Sequence, residues 1–397
     1  MSSSLPQANN TVSLITKKDL QGLLPALSDA HKKTPIEPRL DALTKLSEIT
    51  VEQFQSFEPY FVYSILDVVI KRLDDKPQVV EKALDVGLKV IEMLSIQAFP
   101  RVLTVLFDNI TTQCKWKKKA NCLRLLNAYI ERVENLDRDL LSSCLPELIT
   151  AITDVLYETR SEVAEAAEIT LEKAMKGITN RDLEPFVIDL IKAMKDRDET
   201  NETIQKLAGV VFVQTVEGSA LSVVVPLLMA GFRQGNCQIK RMCSRIVSNM
   251  AKLVEDPLEA EPFLNDLIPS LQDASETIPD PEARQVATVT YNSLLSMQEK
   301  ALETKKQKPF RDAAYIQKEL TRLLESERDC PVAEDCGMGF NLSEDYQDQL
   351  EYVSHIVSSL IKTKTVERDE YADETRIYFK NMVIVTILEK VYHKSNI

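Results

Sequence analysis

The residues best able to do chemistry in this chain are cations. Lys115-Trp116-Lys117-Lys118-Lys119 sets four ammonium groups around one indole. A second set, Lys240, Arg241, Arg245 and Lys252, falls largely on one side of a helix. Lysine and arginine arranged this way bind phosphates, with an affinity that salt weakens and base sequence does not alter. These eight residues are the candidate RNA contacts, and a solvated basic face is the alternative reading of each set. Lysines at a helix start oppose the helix dipole at about 0.3–1 kcal/mol each when exposed, a cost consistent with use of the charge elsewhere. Trp116 would stack on a base if exposed. Ala120, Leu123 and Ile130 share its side of the helix, however, and periodicity assigns it to an apolar seam.

Other constellations fall short of chemistry. No G-x-x-x-x-G-K-[ST] loop, H-E-x-x-H pair or G-x-S-x-G elbow occurs. Gly337-Met338-Gly339 lacks the third glycine and the lysine of a phosphate loop and reads as a bend. The histidines His31, His355 and His393 are scattered. Cys330 and Cys336 flank a loop, but with His355 they leave a zinc set without a fourth ligand. Cys114, Cys122, Cys144, Cys237 and Cys243 read as small apolar core residues. Glu162, Glu165, Glu168 and Glu172 line one side of a helix and read as a solvated face. The sequence therefore predicts no catalytic residue, cofactor, metal or small-molecule substrate.

The cations must be positioned by helical hairpins. In Ser219–Pro257, Leu221, Val224, Val225, Leu228 and Phe232 form one apolar stripe, and Ile239, Cys243, Ile246, Met250 and Leu253 form another. Gly231 and Gly235 are expected to part the two helices, and Pro257 to stop the second. A proline near the start of the first helix marks each recurrence, at Pro59, Pro100, Pro146, Pro185, Pro226 and Pro262, with a period of about 40 residues. Leu20 to Ile49 reads as a degenerate first unit. In Ser161 to Gly177, Val163, Ala166, Ala167, Thr170, Leu171 and Ala174 define the inner side. One hairpin cannot bury its own seam, so each must stack on the next.

The fold this predicts is all-α: a HEAT-repeat superhelical solenoid of roughly six to seven two-helix repeats. It should occupy residues 13–300, after a disordered stretch at 1–12 and before a small C-terminal helical bundle at 301–397. With 61 acidic against 48 basic residues, net charge −13, the surface as a whole is not built for nucleic acid, although local basic patches remain open. The start lacks a signal-peptide pattern, and the apolar run Ser222 to Phe232 is too short to span a bilayer. A cytoplasmic location without membrane contact is expected.

Several runs resemble the N-terminal HEAT region of the fungal-type translation elongation factor 3 family, the ribosome-bound ABC ATPases. They are Ile178 to Phe186, Val224 to Leu228 with Ile239-Lys240-Arg241, Lys252 to Pro257, Ile278 to Arg284 and Leu27 to Pro35. Residues from about 300 onward resemble, more weakly, the helical bundle that joins this region to the first ATPase cassette. The resemblance implies a binding arm in translation elongation, with ribosomal RNA and ribosomal proteins as partners and other translation factors as further candidates. Both ATPase cassettes are missing from these residues, so ATP hydrolysis does not carry over. The runner-up expectation is a general HEAT scaffold for proteins in translational control, resembling the large general-control activator of a stress kinase.

Overall fold

The computed structural model describes residues 17–28, 35–110 and 114–307. Every regular element among them is helical, and the chain divides into two compact units that meet in sequence at Leu94 and Ser95. The expected disordered stretch at 1–12, the bundle from 308 onward, and Cys330, Cys336 and His355 lie outside the described residues.

The first unit holds two helical pairs. Helices α1 (Lys17–Ser28) and α2 (Glu37–Ser47) form one pair. In the next, α3 (Val51–Ser56) and α4 (Glu58–Tyr60) lead through a π turn at Phe61–Ile65 into α5 (Leu66–Arg72), and α6 (Pro77–Met93) returns. A capping box starts α3, with the Thr50 hydroxyl accepting from Gln53 N and the Gln53 side chain accepting from Thr50 N. The core is aliphatic, with Phe54 and Phe61 in ring contact at 4.4 Å. Asp75 lies between two buried guanidinium groups, 2.7 Å from Arg39 and 3.1 Å from Arg72. Lys89 donates to the carbonyls of Ser47 and Ile49, satisfying acceptors left over at the end of α2.

The second unit continues with five pairs. They are α7 (Phe99–Ile110) with α8 (Trp116–Leu136), then α9 (Arg138–Ser143) and α10 (Leu145–Leu156) with α11 (Ser161–Ala174), and α12 (Val187–Lys195) with α13 (Thr200–Ala208). Then come α14 (Gly218–Gln234) with α15 (Cys237–Ala251), and α16 (Pro257–Thr277) with α17 (Pro281–Gln307). Helices α7, α10, α14 and α16 pack in one layer, and within the other α8 packs on α11, and α15 on α13 and α17. The short α12–α13 pair lets α14 touch α10 as well as α12. The seam is continuous and apolar, and the stripes read from sequence face it: Leu221, Val224, Val225, Leu228 and Phe232 are buried, as are Ile239, Cys243, Ile246 and Met250.

Several details differ from the sequence expectation. Gly231 lies inside α14 rather than in the turn. A Cβ there would stand 2.5 Å from Ile204 Cδ1 and 2.7 Å from Cys243 Sγ, so glycine is needed for close helix approach. Gly235 alone ends α14. Helix α15 stops at Ala251, and Pro257 opens α16 instead of closing α15. Pro100 and Pro146 do occupy first turns and Pro185 sits in the 3₁₀ turn Glu184–Phe186 just before α12, but Pro226 and Pro262 lie inside α14 and α16, which begin earlier. Helix α17 runs unbroken past Met297 to Gln307. Cys122, Cys144 and Cys243 are buried core residues as expected, whereas Cys237 is exposed and Cys114 is half-buried. Burial pushes the Cys122 and Cys243 thiols up to about 12, because it strips the thiolate of water.

Candidate nucleic-acid interface

The Lys115 cluster sits at the turn between α7 and α8. Lys115 is the N-cap of α8, in extended conformation and without a side-chain hydrogen bond to the helix start. One repeat later Arg160 occupies the same position on α11, again without a cap bond. In the first unit Lys76 does so on α6. By contrast, Asn236 caps α15 by accepting from Ile239 N at 3.0 Å, and Asp137 caps α9 through Leu140 N at 2.9 Å. A good cap is worth about 1 kcal/mol, and a cation opposes the dipole besides. Such a break with local preference is expected where a side chain serves another end.

The eight predicted cations meet different fates. Lys119 is buried, and its ammonium lies 2.5 Å from the Glu158 carboxylate on the next repeat. Lys240 is 3.5 Å from Asp273 of α16. Arg241 lies 2.9 Å from Glu282 and 3.7 Å from Asp280, at the start of α17. Arg245 donates to the Ala208 carbonyl at the end of α13. These four bind neighbouring repeats together. Lys115 and Lys117 are exposed and Lys118 half-exposed at the start of α8, while Lys252 is exposed at the end of α15. The second cationic stripe therefore serves largely as a latch between repeats.

Turns and connectors fall on opposite edges of this unit, and the two edges differ in how their polar groups are used. The connectors that join one repeat to the next are stitched by side chains. Arg138 donates to the carbonyls of Lys176 and Ile178 at 2.7 Å each. Asp182 accepts from Val213 N and Gln214 N at 2.8 Å each, Asn180 donates to Thr215 O, and Glu259 accepts from Gly218 N at 2.7 Å. Gly177 and Gly218 leave room there, because a Cβ would press on Leu141 or Glu259. Among the turns within repeats, those before α8 and α11 carry the cationic N-caps Lys115 and Arg160, whereas Glu199 precedes α13 and Asn236 caps α15. Glutamates on the helix faces are held by lysines: Glu168 and Glu172 face Lys195, and Glu131 and Glu134 face Lys173 and Lys176. Hydrogen bonding from Lys173, with its charge, holds the Glu131 carboxyl below its usual range. No group of three or more His, Cys, Asp or Glu suited to a metal occurs among the described residues.

Trp116 is the feature the sequence misplaced. Ala120, Leu123 and Ile130 are buried in the seam, but Trp116 is only half-buried. Lys117 Nζ and Arg160 Cζ lie 5.5 and 5.8 Å from its ring centroid, within cation–π range. Arg160, Tyr157 and Arg197 are the residues that sequence reasoning missed. Their signal was the repeat itself, since each lies in a turn about one repeat from its partner.

Stacked two-helix repeats with a shared seam and a period of about 40 residues define a HEAT-repeat protein. Residues 7–171 match the family described as "EF3 N-terminal HEAT repeat", and residues 199–305 match "Elongation factor 3/GNC1 HEAT repeat". Over these residues the chain belongs to the N-terminal HEAT region of the elongation factor 3 family. It is 35% identical to "Elongation factor 3" of Phytophthora infestans over 235 residues, covering 59% of this chain and 22% of that protein. It is 34% identical to "Elongation factor 3" of Candida albicans over 239 residues, or 60% and 22%. A longer alignment, 27% identical over 366 residues with "Elongation factor 3" of Gonapodya prolifera, covers 92% and 32%. The chain thus spans a third or less of the length of these relatives. No described helix is long and apolar enough to cross a membrane.

Proposed function

We propose that this chain is a ribosome-binding HEAT arm of elongation factor 3 type, cytoplasmic and without catalysis of its own. It contacts ribosomal RNA and ribosomal proteins during elongation, and other translation factors are further partners. The observation that carries this reading is the cationic edge at the start of α8. There Lys117 and Lys118 have no carboxylate within ion-pair range among the described residues, and Lys115 takes an N-cap at which a cation is unfavourable. Paired surface charges stitch an array together, whereas Lys117 and Lys118, outside such pairs, supply the salt-sensitive attraction that RNA requires. The relatives named for elongation factor 3 support the same reading.

The test is co-sedimentation of the purified chain with ribosomes at low salt. Binding is expected to fall at least tenfold when Lys115, Lys117 and Lys118 are all changed to Glu. Undiminished binding of that variant, or no binding of the unaltered chain, overturns the proposal. A protein-scaffold role has its own observation, the 79% and 72% exposure of Val211 and Val213 in one connector. Recovery of a dominant non-ribosomal protein, lost on Val211→Asp, would favour it instead.

A further inference from the structure

Along the turn edge of the second unit, cations and aromatic rings alternate across three successive repeats. Lys117 and Arg160 both lie against the Trp116 ring. Arg160 stands three residues beyond Tyr157, and Arg197 Cζ lies 5.3 Å from the Tyr157 ring centroid. Tyr157 is 50% exposed, and its hydroxyl donates to Met194 O at 2.7 Å, which fixes the orientation of the ring. Arg160 and Arg197 are exposed as well. Of the carboxylates nearby, Glu158 is held by Lys119, Glu162 accepts from Ser161 in the exposed first turn of α11, and Asp196, Asp198 and Glu199 lie beside Arg197 and bound the cationic stretch at that end.

We propose that this edge binds single-stranded RNA. Trp116 and Tyr157 each stack on an unpaired base, and Lys117, Arg160 and Arg197 hold the phosphates between. Single-strand binding needs rings that a base can reach and cations that follow the backbone, and here exposed cations stand against a half-buried Trp116 and a half-exposed Tyr157. A duplex keeps its bases in the helix and offers no face to stack on, so double-stranded RNA is the weaker ligand. The inference rests on the ribosome-binding reading above and assigns unpaired RNA as what this edge recognises.

Trp116 is the only tryptophan in the chain, so indole fluorescence reports on this site alone. The intact chain is titrated with oligoadenylate of about 12 nucleotides, within the usual span of a single-strand site. Saturable quenching is expected, and a duplex of equal length should give little. Tyr157→Ala should weaken binding by roughly 5- to 100-fold, the usual effect of losing one stacked base. Arg160→Gln should weaken it several-fold, and Trp116→Ala, followed by fluorescence anisotropy of labelled RNA, should weaken it about as much as Tyr157→Ala. Circular dichroism of each variant shows that the fold is retained. Absent quenching, or RNA affinity unchanged by Tyr157→Ala and Arg160→Gln, overturns the inference. If ribosome co-sedimentation still depends on Lys115, Lys117 and Lys118 in that case, the ribosome reading stands and only base stacking fails.

Discussion

Lys119 and its neighbour Lys118 should respond in opposite ways to loss of charge. Methionine keeps most of the stem packing of lysine and removes the ammonium. The Lys119 side chain is 11% exposed and its partner Glu158 29% exposed, at 2.5 Å. Breaking a fully buried pair costs about 3–5 kcal/mol, and breaking an exposed one about 0–1. Glu158 keeps enough contact with water to rehydrate, which places Lys119→Met at a loss of about 1–2 kcal/mol. Adding Glu158→Gln removes the stranded carboxylate and should recover part of that loss, a coupling of about 1 kcal/mol. Lys118→Met breaks no ion pair, so stability should stay within about 0.5 kcal/mol.

Urea denaturation measures this first difference, and the salt dependence of RNA binding measures the second. Each cation that neutralises a phosphate adds about 0.7 to 0.9 to the slope of log affinity against log salt. Lys118→Met and Lys117→Met should each reduce that slope by close to this amount. Lys119→Met should leave it unchanged under conditions where the protein remains folded. A fully stable Lys119→Met variant with a reduced salt slope would refute the division between internal and outward-facing cations. So would a Lys118→Met variant that loses stability and keeps its slope.

Two further outcomes follow from the packing. Gly231→Ala gains about 1 kcal/mol of helix propensity but meets Ile204 and Cys243, at an overpacking cost of about 1–3 kcal/mol. A net loss is expected, eased by Ile204→Val, which removes the Cδ1 atom that a new Cβ would strike; additive losses in denaturant titrations would contradict this. The raised thiols of Cys122 and Cys243 make the folded state hold its protons where the unfolded chain releases them, from the ordinary value of 9.0 up to about 12. Their stabilising contribution is therefore complete below pH 9 and lost as pH rises toward 12. At pH 8 a thiol reagent should label exposed Cys237 in the folded protein and reach Cys122 and Cys243 only after denaturation, and rapid native labelling of either would count against burial.

The seam was legible in the sequence because helical periodicity is a local property, and Leu221, Val224 and Leu228 declare it without reference to any other repeat. Gly231 was misread because a turn and a close approach ask for the same residue, and only Ile204, from the preceding pair, tells them apart. Pro226 and Pro262 kept the repeat register and still failed as helix boundaries. The turns before them lose one backbone bond but bury Leu221, Val224 and Ala260.

The fate of each cation was hidden for a related reason. On one helix the surface neighbours of a side chain are three and four residues away, but in a stacked array they are also one repeat away. Lys119 finds Glu158 at a separation of 39 residues, Lys173 finds Glu131 at 42, and Arg138 finds Ile178 O at 40. Counting charges along α8 alone made Lys117, Lys118 and Lys119 look equivalent. Setting the repeats in register brings Glu158 opposite Lys119, and brings Tyr157 and Arg160 to the turn beside Trp116. The same offset that assigns Lys119 to the array thus assigns Lys117, Trp116 and Arg160 to the edge that faces outward.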